Sequence, residues 1–145
     1  MWVPQLVEVF ASQSKSGNIS TRIAALRGLL AVSRASRSSI PPLIELLEDP
    51  EISVRKELLS RIGHMFSHAP CNWSNDRSEA PIVQQQEVVF EVGCRLLTLL
   101  AAETGPDLVT AFRLALHRIC GWSPKLKRRI RKQCGDLQRV LWPGL

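Results

Sequence analysis

Two short amphipathic segments joined by Asp49-Pro50 constrain this chain more than any other feature. Ile40, Leu43, Ile44 and Leu47 recur at i, i+3, i+4 and i+7, one face of a helix. Pro41 and Pro42 fall in the first turn, where missing N–H groups are tolerated. Asp49-Pro50 stops that helix, because the residue before proline is pushed out of the α region. A second stripe follows at Leu58, Leu59, Ile62, Met65 and Phe66. A tight turn between two such helices predicts an antiparallel pair. Each helix covers only its own stripe, so the pair requires a neighbour.

The sequence contains an echo of that pair. A shift of 33 residues aligns Asn18–Leu26 with Glu51–Leu59, matching Ile19 with Ile52, Ser20 with Ser53, Arg22 with Arg55 and Leu26 with Leu59. The first copy has an upstream helix over about Pro4–Ala11 and a Ser/Gly loop in place of Asp-Pro. Neither the ankyrin nor the tetratricopeptide signature is present. The stretch Leu43–Phe66 resembles a HEAT repeat: Asp49 and Pro50 stand at the turn, Val54 and Arg55 open helix B, and Leu58, Leu59, Ile62 and Gly63 follow at the family's spacing. The likeness is closest over these 24 residues and weaker over Pro4–Val32, whose turn lacks an acid. The resemblance implies a ladder in which each such arginine meets the turn acid of an adjacent repeat. Arg55 would tie one repeat to the next, and Asp49 is the kind of partner Arg22 needs.

Beyond Ala69 the periodicity predicts helix pairing only. After a polar, proline-bounded loop, a helix is expected over Ile82–Ala102 with Val89, Val92, Leu96 and Leu100 on one stripe. A second is expected over Asp107–Cys120, carrying Leu108, Val109, Phe112, Leu116 and Ile119. Ser123-Pro124 reads as N-cap and first position of a last helix reaching about Trp142. Strand alternation is absent. The expected fold is all-α: one helical-repeat domain over 1–145, a short HEAT-like solenoid of antiparallel helix pairs. Its units would cover about 3–35, 36–68 and 81–121, with a basic C-terminal helix over 123–142.

Charge is distributed unevenly along the chain. From Arg113 onward nine Lys/Arg face one acid, Asp136, a net of +8; the preceding residues carry ten basic and twelve acidic side chains, a net of −2. No apolar run is long enough to span a membrane. The opening residues lack the pattern of a signal peptide. Cys71, Cys94, Cys120 and Cys134 show no CxxC pairing, and reduced, mostly packed thiols are expected. These features together predict an intracellular protein, cytoplasmic or nuclear.

Signals for chemistry are weak. His64, His68 and Cys71 have a spacing that invites zinc, with a fourth ligand from as far away as His117 or Cys120. His64 nevertheless lies about 200° around the helix from Ile62, on the polar side, which favours solvated histidines. There is no HExxH, no GxSxG and no glycine-rich phosphate loop. Glu45, Glu48, Asp49 and Glu51 cluster at a turn where acids are ordinary solvated residues. The expectation is a protein with no catalytic residues, no metal and no cofactor. Trp2, Trp73, Trp122 and Trp142 fall in loops or at helix ends, where they cover core edges or anchor a partner.

The last helix offers the most specific surface. Leu126, Ile130, Cys134, Leu137 and Leu141 trace an apolar stripe, and Lys125, Lys127, Arg128, Arg129, Arg131 and Lys132 fill the rest of its first half. Four readings compete: a solvated solenoid end, a phosphate contact for nucleic acid, a nuclear-import signal, and a basic amphipathic helix for a membrane surface or a helix-binding groove. The likeness to HEAT proteins, which extends generically to scaffold and regulatory subunits of serine/threonine phosphatases, implies a non-catalytic scaffold or adaptor. Its expected partner is a protein, within a larger complex. The competing function is a nucleic-acid-binding module using the basic helix.

Overall fold

The computed structural model describes residues 3–66, 73 and 81–134, and all regular structure among them is helical. Seven α-helices occur there: α1 (Val3–Gln13), α2 (Ile19–Val32), α3 (Ile40–Leu46), α4 (Ile52–Ile62), α5 (Pro81–Ala102), α6 (Pro106–Cys120) and α7 (Pro124–Cys134). A single 3-10 turn, Arg37–Ser39, leads into α3, and a second, Gly63–Phe66, extends α4. The expected extension of the last helix toward Trp142 lies outside the described residues, as do His68 and Cys71.

Local chemistry sets most of the helix starts. The Asn18 side chain accepts the Thr21 N–H at 3.2 Å and opens α2. Pro41 and Pro42 occupy the first turn of α3, and Pro106 that of α6. At the start of α7 Ser123 Oγ accepts the Leu126 N–H at 3.1 Å. At the far end of α2, Ser33 is buried, its hydroxyl donates to the Leu30 carbonyl, and its own carbonyl accepts Trp73 Nε1–H at 2.6 Å.

The core joins one stripe from each helix. Leu26 and Leu29 of α2, Leu58, Leu59 and Ile62 of α4, and Phe112, Leu116 and Ile119 of α6 are all buried. In contact terms α2 packs on α1, α3 and α4, while α4 also packs on α6. Helix α5 lies against α6 and α7, and α6 touches α7 as well. Leu126 and Ile130 bring α7 into the same core.

Two glycines permit close approach. A Cβ at Gly93 in α5 would lie 2.9 Å from Leu126 Cγ, so the α7 leucine occupies that space. A Cβ at Gly63 would lie 2.6 Å from Arg118 Cδ. There the second stripe, read as one helix from the sequence, tightens into 3-10 geometry beside α6.

Candidate functional site

The turns preceding α2, α4 and α6 share one geometry. Their N-cap residues, Asn18, Glu51 and Gly105, have φ/ψ of −91°/122°, −88°/122° and −73°/123°. Two residues before each cap, a side-chain oxygen accepts the cap's own N–H: Ser16 Oγ at 3.1 Å, Asp49 Oδ1 at 2.9 Å and Glu103 Oε1 at 2.9 Å. Four residues after each cap, the chain's N–H returns to the cap carbonyl from Arg22, Arg55 and Val109. One backbone device is therefore built three times with different side chains.

Arg22 and Asp49 form a two-pronged ion pair, Nε to Oδ2 at 2.8 Å and Nη2 to Oδ1 at 3.1 Å. The third nitrogen, Nη1, donates to the Ser16 carbonyl at 2.9 Å. The carboxylate side chain retains only 5% of its exposure and the arginine 13%, so the pair is largely withdrawn from water. A guanidinium suits this position because its planar fork matches a carboxylate and leaves a further donor free. Arg55 points onward to Glu103, with Nη1 3.6 Å from Oε2, and its Nε is buried without a hydrogen-bond partner. This second contact is looser than the first. The sequence period does not point to Glu103: 33 residues separate Asn18 from Glu51, but 54 separate Glu51 from Gly105, so a fixed-period alignment misses it.

The outer surface of these helices is laced by further pairs. Glu57 accepts Arg27 Nε–H and Arg61 Nε–H, each at 2.8 Å, and Lys56 reaches Asp107 at 3.3 Å. The hydrogen bond from Arg27, aided by Arg61, holds the Glu57 carboxyl below the usual carboxylate range despite an opposing effect of burial. Arg95 pairs with Glu48, and Arg37 with Glu87 at 3.6 Å.

The six basic residues singled out on the last helix, Lys125, Lys127, Arg128, Arg129, Arg131 and Lys132, are all exposed on α7. Lys125 Nζ sits 4.5 Å from the centre of the Phe90 ring on α5. A groove of about 410 Å³ runs between α5 and α7, lined in part by Val83, Glu87, Phe90, Glu91, Lys125 and Arg128.

His64 is exposed, and among the described residues no group of three or more His, Cys, Asp or Glu could hold a metal. Cys94 and Cys120 are free thiols, half-buried; burial pushes the Cys120 thiol upward. Trp73 is buried, with Arg37 5.9 Å from its ring centre, and Trp122 packs against the core edge. Among the described residues no helix is long and apolar enough to cross a membrane. The chain matches no known family model, no curated protein and no solved structure.

Proposed function

We propose that the chain is a non-catalytic helical-repeat scaffold of HEAT type that presents a rigid face to a protein partner. The observation carrying this reading is the thrice-built turn with its arginine-to-acid contacts, Arg22 to Asp49 and Arg55 to Glu103. In this reading the repeat units are α1–α2, α3–α4 and α5–α6, stacked so that each second helix contacts the next. The packing of α2 on α4 and of α4 on α6 supports it.

Ser16 stands at the first turn where the later turns carry Asp49 and Glu103, and Val109 stands where the first two units carry Arg22 and Arg55. In this reading helix α7 covers part of the α5–α6 unit, against which it packs.

The proposed partner surface is the outer ridge of α4 and α6, where Ser53, Ser60 and Leu114 are exposed. Affinity capture of the full chain from cell extract, with and without nuclease, tests the reading. The expected result is a reproducible protein partner that resists nuclease and is lost on Ser53→Arg, Ser60→Arg and Leu114→Arg at unchanged melting temperature. Capture that disappears wholly on nuclease treatment contradicts the scaffold.

A further inference from the structure

We propose that the outward face of α7 binds the phosphate backbone of duplex nucleic acid without regard to base sequence. The argument begins with where the charge is left over. Elsewhere in the fold most arginines and lysines are matched to carboxylates: Arg22 with Asp49, Arg27 and Arg61 with Glu57, Arg37 with Glu87, Arg55 with Glu103, Lys56 with Asp107, Arg95 with Glu48. Lys15, Arg113 and Arg118 are in no such pair among the described residues but lie apart in the sequence. On α7, Lys127, Arg128, Arg131 and Lys132 have no carboxylate partner among the described residues. The excess positive charge is thus concentrated on one helix.

That helix is fixed in place. Ser123 caps it, Leu126 fills the space above Gly93, and Leu126 and Ile130 are buried. At 3.6 residues per turn the four cations spread over roughly 140° of circumference, on the side away from those two residues. They form two i, i+4 rows, Lys127 with Arg131 and Arg128 with Lys132, each step about 6 Å along the axis. Little ordering of the backbone is left to be done on binding.

The seating of α7 also discriminates between occupants. Insertion into a membrane surface or a helix-binding groove needs an exposed apolar stripe. The apolar residues of α7 whose burial is described, Leu126 and Ile130, already belong to the core. A stable protein interface is built around an apolar centre, and the described part of α7 exposes no large apolar side chain. Phosphodiester recognition needs none, since counterion release supplies the affinity from charge alone. No aromatic side chain of α7 offers a stacking platform, which favours duplex over single strands.

Fluorescence anisotropy of the full chain with two labelled duplexes of unrelated sequence tests the inference. Both duplexes should bind equally at low salt. With up to four phosphate contacts the log–log salt slope should reach about −3.6, a loss of roughly 10²-fold between 50 and 200 mM salt. The variant Lys127→Gln, Arg128→Gln, Arg131→Gln, Lys132→Gln should lose most of the affinity and the slope while keeping its helical circular dichroism. Lys56→Gln with Arg61→Gln on α4 should bind like wild type. No binding at 50 mM salt would overturn the proposal. So would equal losses in the α4 variant, or binding of polyglutamate or anionic vesicles in place of the duplex. Failure here leaves the scaffold reading intact, because capture of a nuclease-resistant partner does not involve these four residues.

Discussion

Asp49 is held by three donors at once: two guanidinium nitrogens of Arg22 and the Glu51 N–H. Removing one partner of a buried pair leaves the other charge uncompensated, which costs more than the pair contributes over an apolar replacement. Arg22→Ala should therefore destabilise the fold by about 3 kcal/mol, roughly 6–12 °C in Tm for a chain of this size. Arg55→Ala breaks a single 3.6 Å contact to a partly exposed Glu103 and should cost about 1 kcal/mol. Equal losses in urea titrations would mean that the two contacts are equivalent and the geometry is misread. Glu57 provides a pH test. Its folded carboxyl titrates below its ordinary value of about 4.5, so its contribution is present at neutral pH and is lost as pH falls through the folded value. A double-mutant cycle between Arg27 and Glu57 should show coupling at about pH 7 that fades as the pH is lowered through the folded carboxyl's titration.

Helix α7 is anchored by its cap and by two buried side chains, Leu126 and Ile130. The Ser123 hydroxyl satisfies one of the N–H groups left open at its first turn. Ser123→Ala should cost about 1 kcal/mol. Gly93→Val is a harsher test, since its side chain would occupy the position of Leu126. We expect it to dislodge α7 and to accelerate tryptic cleavage at Lys127 and Arg128, while α2 and α4 keep their helical signal. Cleavage at the wild-type rate would show that α7 does not depend on that contact. Leu126→Ala supplies the complementary measurement, with an expected loss of about 2–5 kcal/mol.

Across the molecule, buried residues from all seven helices or their flanks touch a single continuous core, and Trp73 is hydrogen-bonded to the end of α2 across forty positions of chain. Denaturation followed by tryptophan fluorescence and by far-ultraviolet circular dichroism should give one coincident transition. Separate midpoints would mean that neighbouring helix pairs unfold independently, as extended repeat arrays do.

What the sequence determined on its own was local. Periodicity located α3, α4, α5 and α6, the echo of one segment in another pointed to α2, and the Ser123-Pro124 cap marked the start of α7, because spacing, capping and proline geometry act within one or two turns. The Arg22 and Arg55 correspondence was also visible, since equal separation preserves an alignment. Tertiary structure decided which acid Arg55 meets. Glu103 became the partner of Arg55 because α5, at 22 residues, is three times the length of α3 yet delivers the same turn to the same place. It likewise decided the character of α7. A stripe of Leu126 and Ile130 looks the same in a sequence whether it faces a membrane, a partner or a core. The absence of a side chain at Gly93 admits Leu126 to the core, while the six lysines and arginines of α7 stay exposed.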